Sequence, residues 1–315
     1  MQFRTEIGIS KGNHLIDYDS DIVLLGSCFS ENIGDKLSYD KFNSLVNPYG
    51  ILFHPVAIEK AITQGINQIQ YTTDDLYFFN DLWLSFNHHS KFSSTDREKI
   101  LFNINSGITD FNLRLQSATH LIVTLGTAWV YRFVENDKVV ANCHKIPQKK
   151  FSKELLSIDD ISESLDAMIT LIKSINKNIS VILTLSPVRH LKDGFIENCM
   201  SKAHLLSAIY EVTNINKNIH YFPAYEIMLD DLRDYRFYNE DMLHPNAMAI
   251  NYIWDKFRNS WMSEKTIELS NKVESLQKSL AHRPFHSESE QHQAFIRKIK
   301  DQISSLNKQY PNINF

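Results

Sequence analysis

The stretch Asp21-Ile-Val-Leu-Leu-Gly26-Ser27-Cys28-Phe29-Ser30-Glu31-Asn32-Ile33 decides the fold. A short apolar run, one glycine and then a mixed polar and apolar segment predict a strand, a sharp turn and a helix start. That order exposes a side chain at the carboxyl end of a strand, beside the positive end of a helix. Four further runs have the β-branched or aromatic content of buried strands: Phe42–Val46, His120–Leu125, Ile179–Leu185 and Ile219–Phe222. Between them lie amphipathic stretches at helical spacing, the clearest being Ile161, Leu165, Met168, Ile169 and Ile172, and later Ile250, Ile253, Trp254, Phe257 and Trp261. Pro55 and Pro245 are placed by this pattern in first helical turns, where a missing N–H is tolerated. Strands alternating with helices point to a doubly wound α/β layer around a parallel sheet, whose ligands gather at the carboxyl ends of the strands.

Two segments interrupt the alternation. Residues 67–117 are aromatic-rich (Tyr77, Phe78, Phe79, Trp83, Phe86) and then helical (Ile100, Leu101, Ile104, Ile108, Phe111, Leu115), too long for a simple connection, and read as an insertion packed on the core. Trp129–Val134 and Lys138–Cys143 flank the polar turn Glu135-Asn136-Asp137, which predicts an antiparallel hairpin over about 129–143. The reading divides the chain into a catalytic domain over 1–262 and a C-terminal helical appendage over 263–315, broken near Arg283-Pro284. The appendage offers a surface for packing back or for a homo-oligomer, and nothing in its pattern requires the latter.

The 315 residues hold 33 Lys and Arg against 37 Asp and Glu, a formal net charge of −4. This excludes the strongly basic footprint of a nucleic-acid-binding protein. No apolar run approaches the roughly 20 residues of a membrane span, and the start MQFRTEIGISKGNHL lacks a charged-then-apolar order, so a cytoplasmic protein without a membrane partner is expected. Cys28, Cys143 and Cys199 form no C-x-x-C pair and read as reduced thiols. His88 and His89 are adjacent and cannot make a helical metal pair. No zinc-peptidase, dinucleotide or P-loop motif occurs, so neither a metal nor a cofactor is expected. Glycine is scarce at nine residues, about half its usual frequency of roughly 7%, and Gly26, Gly50 and Gly126 fall at the ends of the first three proposed strands.

Position at a helix N-terminus favours a thiolate, which makes Cys28 a candidate nucleophile. The second chemical signal is Tyr238-Asn-Glu-Asp241-Met-Leu-His244-Pro245-Asn246, in a polar loop before the last sheet-packing helix. An Asp and a His three residues apart can place a carboxylate on one imidazole nitrogen while the other faces a nucleophile. The competing reading makes Asp241 a helix cap and His244 a surface residue.

Taken together, Gly-Ser-Cys after the first strand and Asp-x-x-His-Pro before the last helix resemble the first and last blocks of the SGNH (GDSL-like) hydrolases. More closely, GSCFSENIG at 26–34 with NPYGILFHP, LGTAWVY, NCHK and SPVRH resembles the GSCFA family of bacterial proteins, over roughly residues 3–260. The resemblance implies a flavodoxin-like three-layer α/β/α fold with a five-stranded parallel sheet, and acyl-ester chemistry. Gly26 matches the glycine of the first block, Ser27 stands where that block has Asp, and Cys28 takes the nucleophile position; a shift of one residue would make Ser27 the nucleophile instead. Asp241 and His244 match the last block without adjustment, His244 as general base and Asp241 fixing its tautomer. Gly50, in Asn47-Pro48-Tyr49-Gly50, matches the second-block glycine whose N–H helps bind the oxyanion. The third block departs from the pattern: Gly126-Thr127-Ala128-Trp129 has Ala where an amide donor normally stands. Thr127, Asn47 or another group must supply it, or the hole is weaker by about 3 kcal/mol. Asn142, Cys143, His144 and Lys145 either line the cleft or hold the hairpin end, and Arg189 either binds an anionic group or forms a salt bridge.

The leading functional expectation is therefore an esterase or O-acyltransferase working through a covalent acyl-enzyme, on an acylated carbohydrate or other small molecule. Its alternative is a non-catalytic binding or scaffold protein that keeps the fold with a degraded oxyanion hole.

Overall fold

The computed structural model describes residues 5–216, 218–282 and 289–315. In chain order the elements are β1 (Asp21–Gly26), α1 (Cys28–Tyr39), β2 (Asn43–Val46), α2 (Pro55–Ile66), β3 (Tyr77–Phe79), β4 (Leu82–Leu84), α3 (Arg97–Ser117), β5 (His120–Leu125), β6 (Trp129–Phe133) and β7 (Lys138–Val140). They continue with β8 (Phe151–Leu155), α4 (Ile158–Ile175), β9 (Ser180–Leu185), α5 (Phe195–Ile215), β10 (Ile219–Phe222), the short α6 (Ala224–Glu226), α7 (Ala247–Trp261), α8 (Glu264–Ala281) and α9 (Glu290–Gln309). All five strands read from the sequence are present, two with the expected bounds.

These five form one parallel sheet in the order β2-β1-β5-β9-β10. Numbered within the sheet, the order is 2-1-3-4-5, the flavodoxin-like arrangement. Alternate residues of each strand feed the two helix layers. Val23, Leu25, Leu121, Val123, Val181 and Leu183 pack with α2, α3, α4 and α5, whereas Ile22, Leu24, Ile122, Ile182 and Phe222 pack with α1 and α7. Burial on both faces is why β1, β5 and β9 read as nearly continuous apolar runs rather than as alternating ones.

Local sequence sets the helix starts. His54 caps α2 by accepting the Ala57 N–H, with Pro55 at the first position as expected. Ser157 and Asp160 cap α4 reciprocally. Asn246 caps α7 through the Ala249 N–H, so Pro245 precedes the cap instead of lying in the first turn. Its ring needs no special allowance there, because the N–H it lacks is not one the helix would use.

The 67–117 segment contains the β3–β4 hairpin and then α3, whose Ile100, Ile104, Ile108, Phe111 and Leu115 are fully buried in the main core. The β6–β7 hairpin is joined by β8, antiparallel to β6, making a three-stranded sheet. The C-terminal helices pack back on the α1/α7 layer: Leu269, Val273 and Ile313 share its core, and Ser270 donates to Asp40 across 2.7 Å. The break expected near Arg283-Pro284 lies outside the described residues. Among the described residues no helix is long and apolar enough to cross a membrane.

Candidate active site

The turn after β1 is built around one glycine. Gly26 has φ +130°, and a Cβ there would lie 2.1 Å from the Thr124 carbonyl oxygen of the neighbouring strand. The Ser27 N–H donates to that same oxygen at 3.1 Å, locking the turn against β5. Ser27 is then the N-cap of α1: it is fully buried, and its Oγ accepts the Phe29 N–H. Cys28 is the first helical residue and is only partly buried.

The two candidate nucleophiles therefore occupy different environments. The Ser27 hydroxyl is occupied as a cap, and the Cys28 thiol lies nearer solvent. Burial pushes the Cys28 thiol up, with the Glu31 carboxylate adding to the rise; the N–H groups of Cys28 and Phe29 and the charge of Lys202 pull it back. The helix terminus expected to activate the thiol is thus outweighed by desolvation in the free protein.

Asp241 and His244 form a tight pair. Asp241 Oδ2 lies 2.6 Å from His244 Nδ1, while Oδ1 accepts the Leu243 and His244 N–H groups at 2.8 and 3.0 Å. Met242 between them takes φ +59°, which folds the short loop around the carboxylate. Three bonds to one carboxylate hold its pKa down to about 2, the backbone N–H of His244 being the largest contributor. The loop is tied to the sheet edge by the Arg189 N–H, which donates to the Leu243 carbonyl at 3.2 Å. Among the described residues no hydrogen bond joins Cys28 Sγ to His244.

The expected oxyanion donors are differently employed. The Gly50 N–H closes its own turn on the Asn47 carbonyl at 2.8 Å, and the N–H groups of Gly126 and Thr127 both go to the Phe53 carbonyl. Gly50 keeps φ +77°, and a Cβ there would approach His89 Cβ to 2.2 Å. Thr127 Oγ1 lies 3.1 Å from Ser201 Oγ and accepts the Trp129 N–H, so it braces the loop. Asn47 differs: its Oδ1 accepts the Gly26 N–H at 2.9 Å, directly under the Gly26–Ser27 turn, and its Nδ2 is buried without a partner.

A cleft of about 520 Å³ opens beside this edge, with Phe53, Trp129, Tyr131, His144 and His190 among its walls. His144 belongs to the wall and also holds the hairpin, its Nε2 lying 2.7 Å from the Ser85 carbonyl oxygen. Arg189 forms no salt bridge among the described residues; its guanidinium lies over Tyr238 at 4.4 Å and Tyr235 at 5.3 Å. His190, next in sequence, is held neutral by burial, its value lowered to about 3. Among the described residues no group of three or more His, Cys, Asp or Glu is placed to hold a metal ion.

Two groups are not singled out from the sequence, although His54 stands in the NPYGILFHP string. His54, fully enclosed in the cleft floor, accepts from Ala57 N–H through Nδ1 and lies 3.1 Å from the Val140 carbonyl through Nε2. Lys202, on α5, is fully buried and donates to the carbonyls of Gly126 and Ser186 at 2.8 and 2.7 Å. A signal for it exists: Lys202 lies in phase with Leu205 and Ile209, the buried face of α5.

Fold and site together define a three-layer α/β/α protein of flavodoxin-like order, carrying a thiol at a helix N-terminus and an Asp–His pair on its carboxyl edge. The chain belongs to the GSCFA family: the family profile matches residues 21–257, and a second profile, described as the C-terminal domain of GSCFA domain proteins, matches residues 273–315. Among solved structures it is similar to an acetyl xylan esterase (Est2A) from the rumen bacterium Butyrivibrio proteoclasticus, with a TM-score of 0.38 and 10% identity. The alignment covers 78% of this chain and 65% of that one. No curated protein sequence matches the chain.

Proposed function

We propose that the chain is an SGNH-type acyl-ester hydrolase or O-acyltransferase that works through a thioester on Cys28. The observation that carries this reading is the Asp241–His244 pair, in which a carboxylate clamped by two backbone N–H groups fixes the imidazole through Nδ1 and leaves Nε2 for chemistry. His244 Nε2 takes the Cys28 proton as Sγ attacks the ester carbonyl, and returns it to the departing alkoxide. Water or a sugar hydroxyl then attacks the thioester, with His244 again removing the proton, and the thiol is released. Cys28 is favoured over Ser27 because the serine hydroxyl is buried as the helix cap.

The oxyanion is received by the Cys28 N–H, at a helix end where such groups lack helical partners, and by Asn47 Nδ2, which has none in the free protein. The aromatic and imidazole walls of the adjacent cleft suit an acylated carbohydrate or another small polar ester. A binding or scaffold role is favoured by one observation, the commitment of the Gly50 and Gly126 N–H groups elsewhere.

Intact-mass spectrometry after incubation with an activated acyl ester separates the two readings. An acyl adduct on the parent chain and on Ser27→Ala, lost in Cys28→Ala and His244→Ala, is the expected result. Absence of an adduct on the parent chain, or acylation that survives in Cys28→Ala, overturns the mechanism.

A further inference from the structure

Lys202 is a fully buried amine with no carboxylate partner among the described residues. Its charged form is costly to bury unless something compensates it. Its two carbonyl acceptors, Gly126 and Ser186, follow β5 and β9 at the carboxyl edge. The same edge of β5 holds the nucleophile turn, through Thr124, whose carbonyl accepts the Ser27 N–H and whose hydroxyl meets Ser30 Oγ at 2.8 Å. Thr124 and Gly126 are two residues apart, so the amine and the thiol are anchored to adjoining points of one strand end.

We infer that Lys202 is a positioning residue for Cys28, supplying from within the protein the positive charge that compensates the thiolate. The inference rests on the reading of Cys28 as nucleophile. When the Cys28 proton leaves to His244, the charge left on Sγ develops at the strand end where the two carbonyls hold the protonated Lys202; no proton need pass between Lys202 and the thiol.

The surrounding ionisable groups fit this assignment. Burial lowers Lys202 to about 7, and Cys28 is the group whose charge raises it again. From α1, Glu31 acts on Cys28 in the opposite sense. From the loop after β9, His190 feels the Lys202 charge but is held neutral by its own burial, with Asp193 and His244 acting on it in turn. From α6, the Tyr225 ring lies 5.5 Å from Lys202 Nζ and carries no charge near neutral pH, because burial raises its hydroxyl. A mere staple between two loops would need hydrogen bonds alone, whereas a counter-charge must alter the ionisation of the thiol.

The test is alkylation of Cys28 by iodoacetamide between pH 5.5 and 9.5 (a span of about four units, wide enough for a shifted thiol), followed by intact mass in the full chain carrying Cys143→Ser and Cys199→Ser. Lys202→Met should move the profile to higher pH and slow alkylation at pH 7 by about tenfold for each unit of displacement. Superimposable profiles would overturn the proposal. If Lys202→Met does not fold, Lys202→Arg and Lys202→Gln are compared in its place: a profile kept with the charged side chain and displaced with the neutral one supports the pairing, and coincident profiles overturn it. Alkylation requires no ester, so a chain inert to acyl esters but with a Lys202-dependent profile fails the hydrolase reading alone.

Discussion

Asp241 holds His244 at two points and its neighbour Leu243 at a third, with Oδ2 on the ring nitrogen at 2.6 Å and Oδ1 on the N–H groups of His244 and Leu243. The backbone bonds make this more than a surface ion pair, because they fix the carboxylate whether or not the ring is charged. They also predict its titration. A carboxyl held down to about 2 in the folded chain and near 3.8 when unfolded contributes stability that is present above pH 3.8 and is lost as the pH falls through about 2. A carboxyl carbon resonance of Asp241 should therefore titrate about two units below an ordinary aspartate. A midpoint at the ordinary value would mean that the loop does not hold this geometry in solution.

The Gly26 position should tolerate no side chain. Gly26→Ala places a Cβ 2.1 Å from a backbone oxygen of the adjacent strand, at a φ of +130°, and neither atom can turn away as a side chain could. The cost is about 3 kcal/mol or more, from backbone strain and overpacking together. Urea denaturation of Gly26→Ala beside Gly8→Ala, where a Cβ meets nothing within 4 Å, isolates the effect. Equal midpoints for the two variants would refute the tight turn.

The sheet was legible because its central strands β1, β5 and β9 are buried on both faces. His120–Leu125 has no polar alternation to confuse it, and Gly26 marks the turn that follows β1. The third strand of the small sheet was not legible, since Phe151-Ser-Lys-Glu-Leu155 places adjacent charges on opposite faces of the strand and so shows no apolar alternation. The spacing of Asp241 and His244 allowed their pairing but equally a helix cap and a surface histidine; the resemblance of the first and last blocks favoured the pair. The destinations of the N–H groups were not: Gly50 and Gly126 are spent on the Asn47 and Phe53 carbonyls, contacts fixed by how two loops meet. Lys202 was hidden for the opposite reason, a charged residue being read as solvated unless the phase of its helix is followed closely.

Ser27→Ala separates capping from catalysis. Loss of the Oγ bond to the Phe29 N–H should cost about 1 kcal/mol of stability, the usual value of an N-cap, while acylation of Cys28 continues. Denaturant midpoints and adduct mass on the same preparation measure both. Complete loss of the adduct in a folded Ser27→Ala chain would transfer the nucleophile to the serine.

Asn47→Asp tests the oxyanion donor. An aspartate keeps an acceptor for the Gly26 N–H at the 2.9 Å contact but removes the Nδ2 donors and introduces negative charge where negative charge would develop. The acylation rate should fall on the order of 10² to 10³-fold with the fold retained. An unchanged rate in the folded variant would place the oxyanion elsewhere, at the Cys28 N–H and groups not yet identified.

Removal of residues 263–315 should unfold the rest of the chain rather than release an intact catalytic domain. Leu269, Val273 and Ile313 lie in the same core as α1 and α7, and side chains of this kind contribute about 1.5–3 kcal/mol each when buried. Their combined loss, roughly 5–9 kcal/mol, is comparable to the total stability of an ordinary domain. Asp40 would also lose the Ser270 hydroxyl that satisfies it, and the Tyr39 carbonyl would lose Gln277 Nε2 at 3.0 Å. The 1–262 fragment is expected to show weakened near-ultraviolet circular dichroism and a broad, early urea transition; a cooperative transition matching the full chain would show the C-terminal helices to be dispensable.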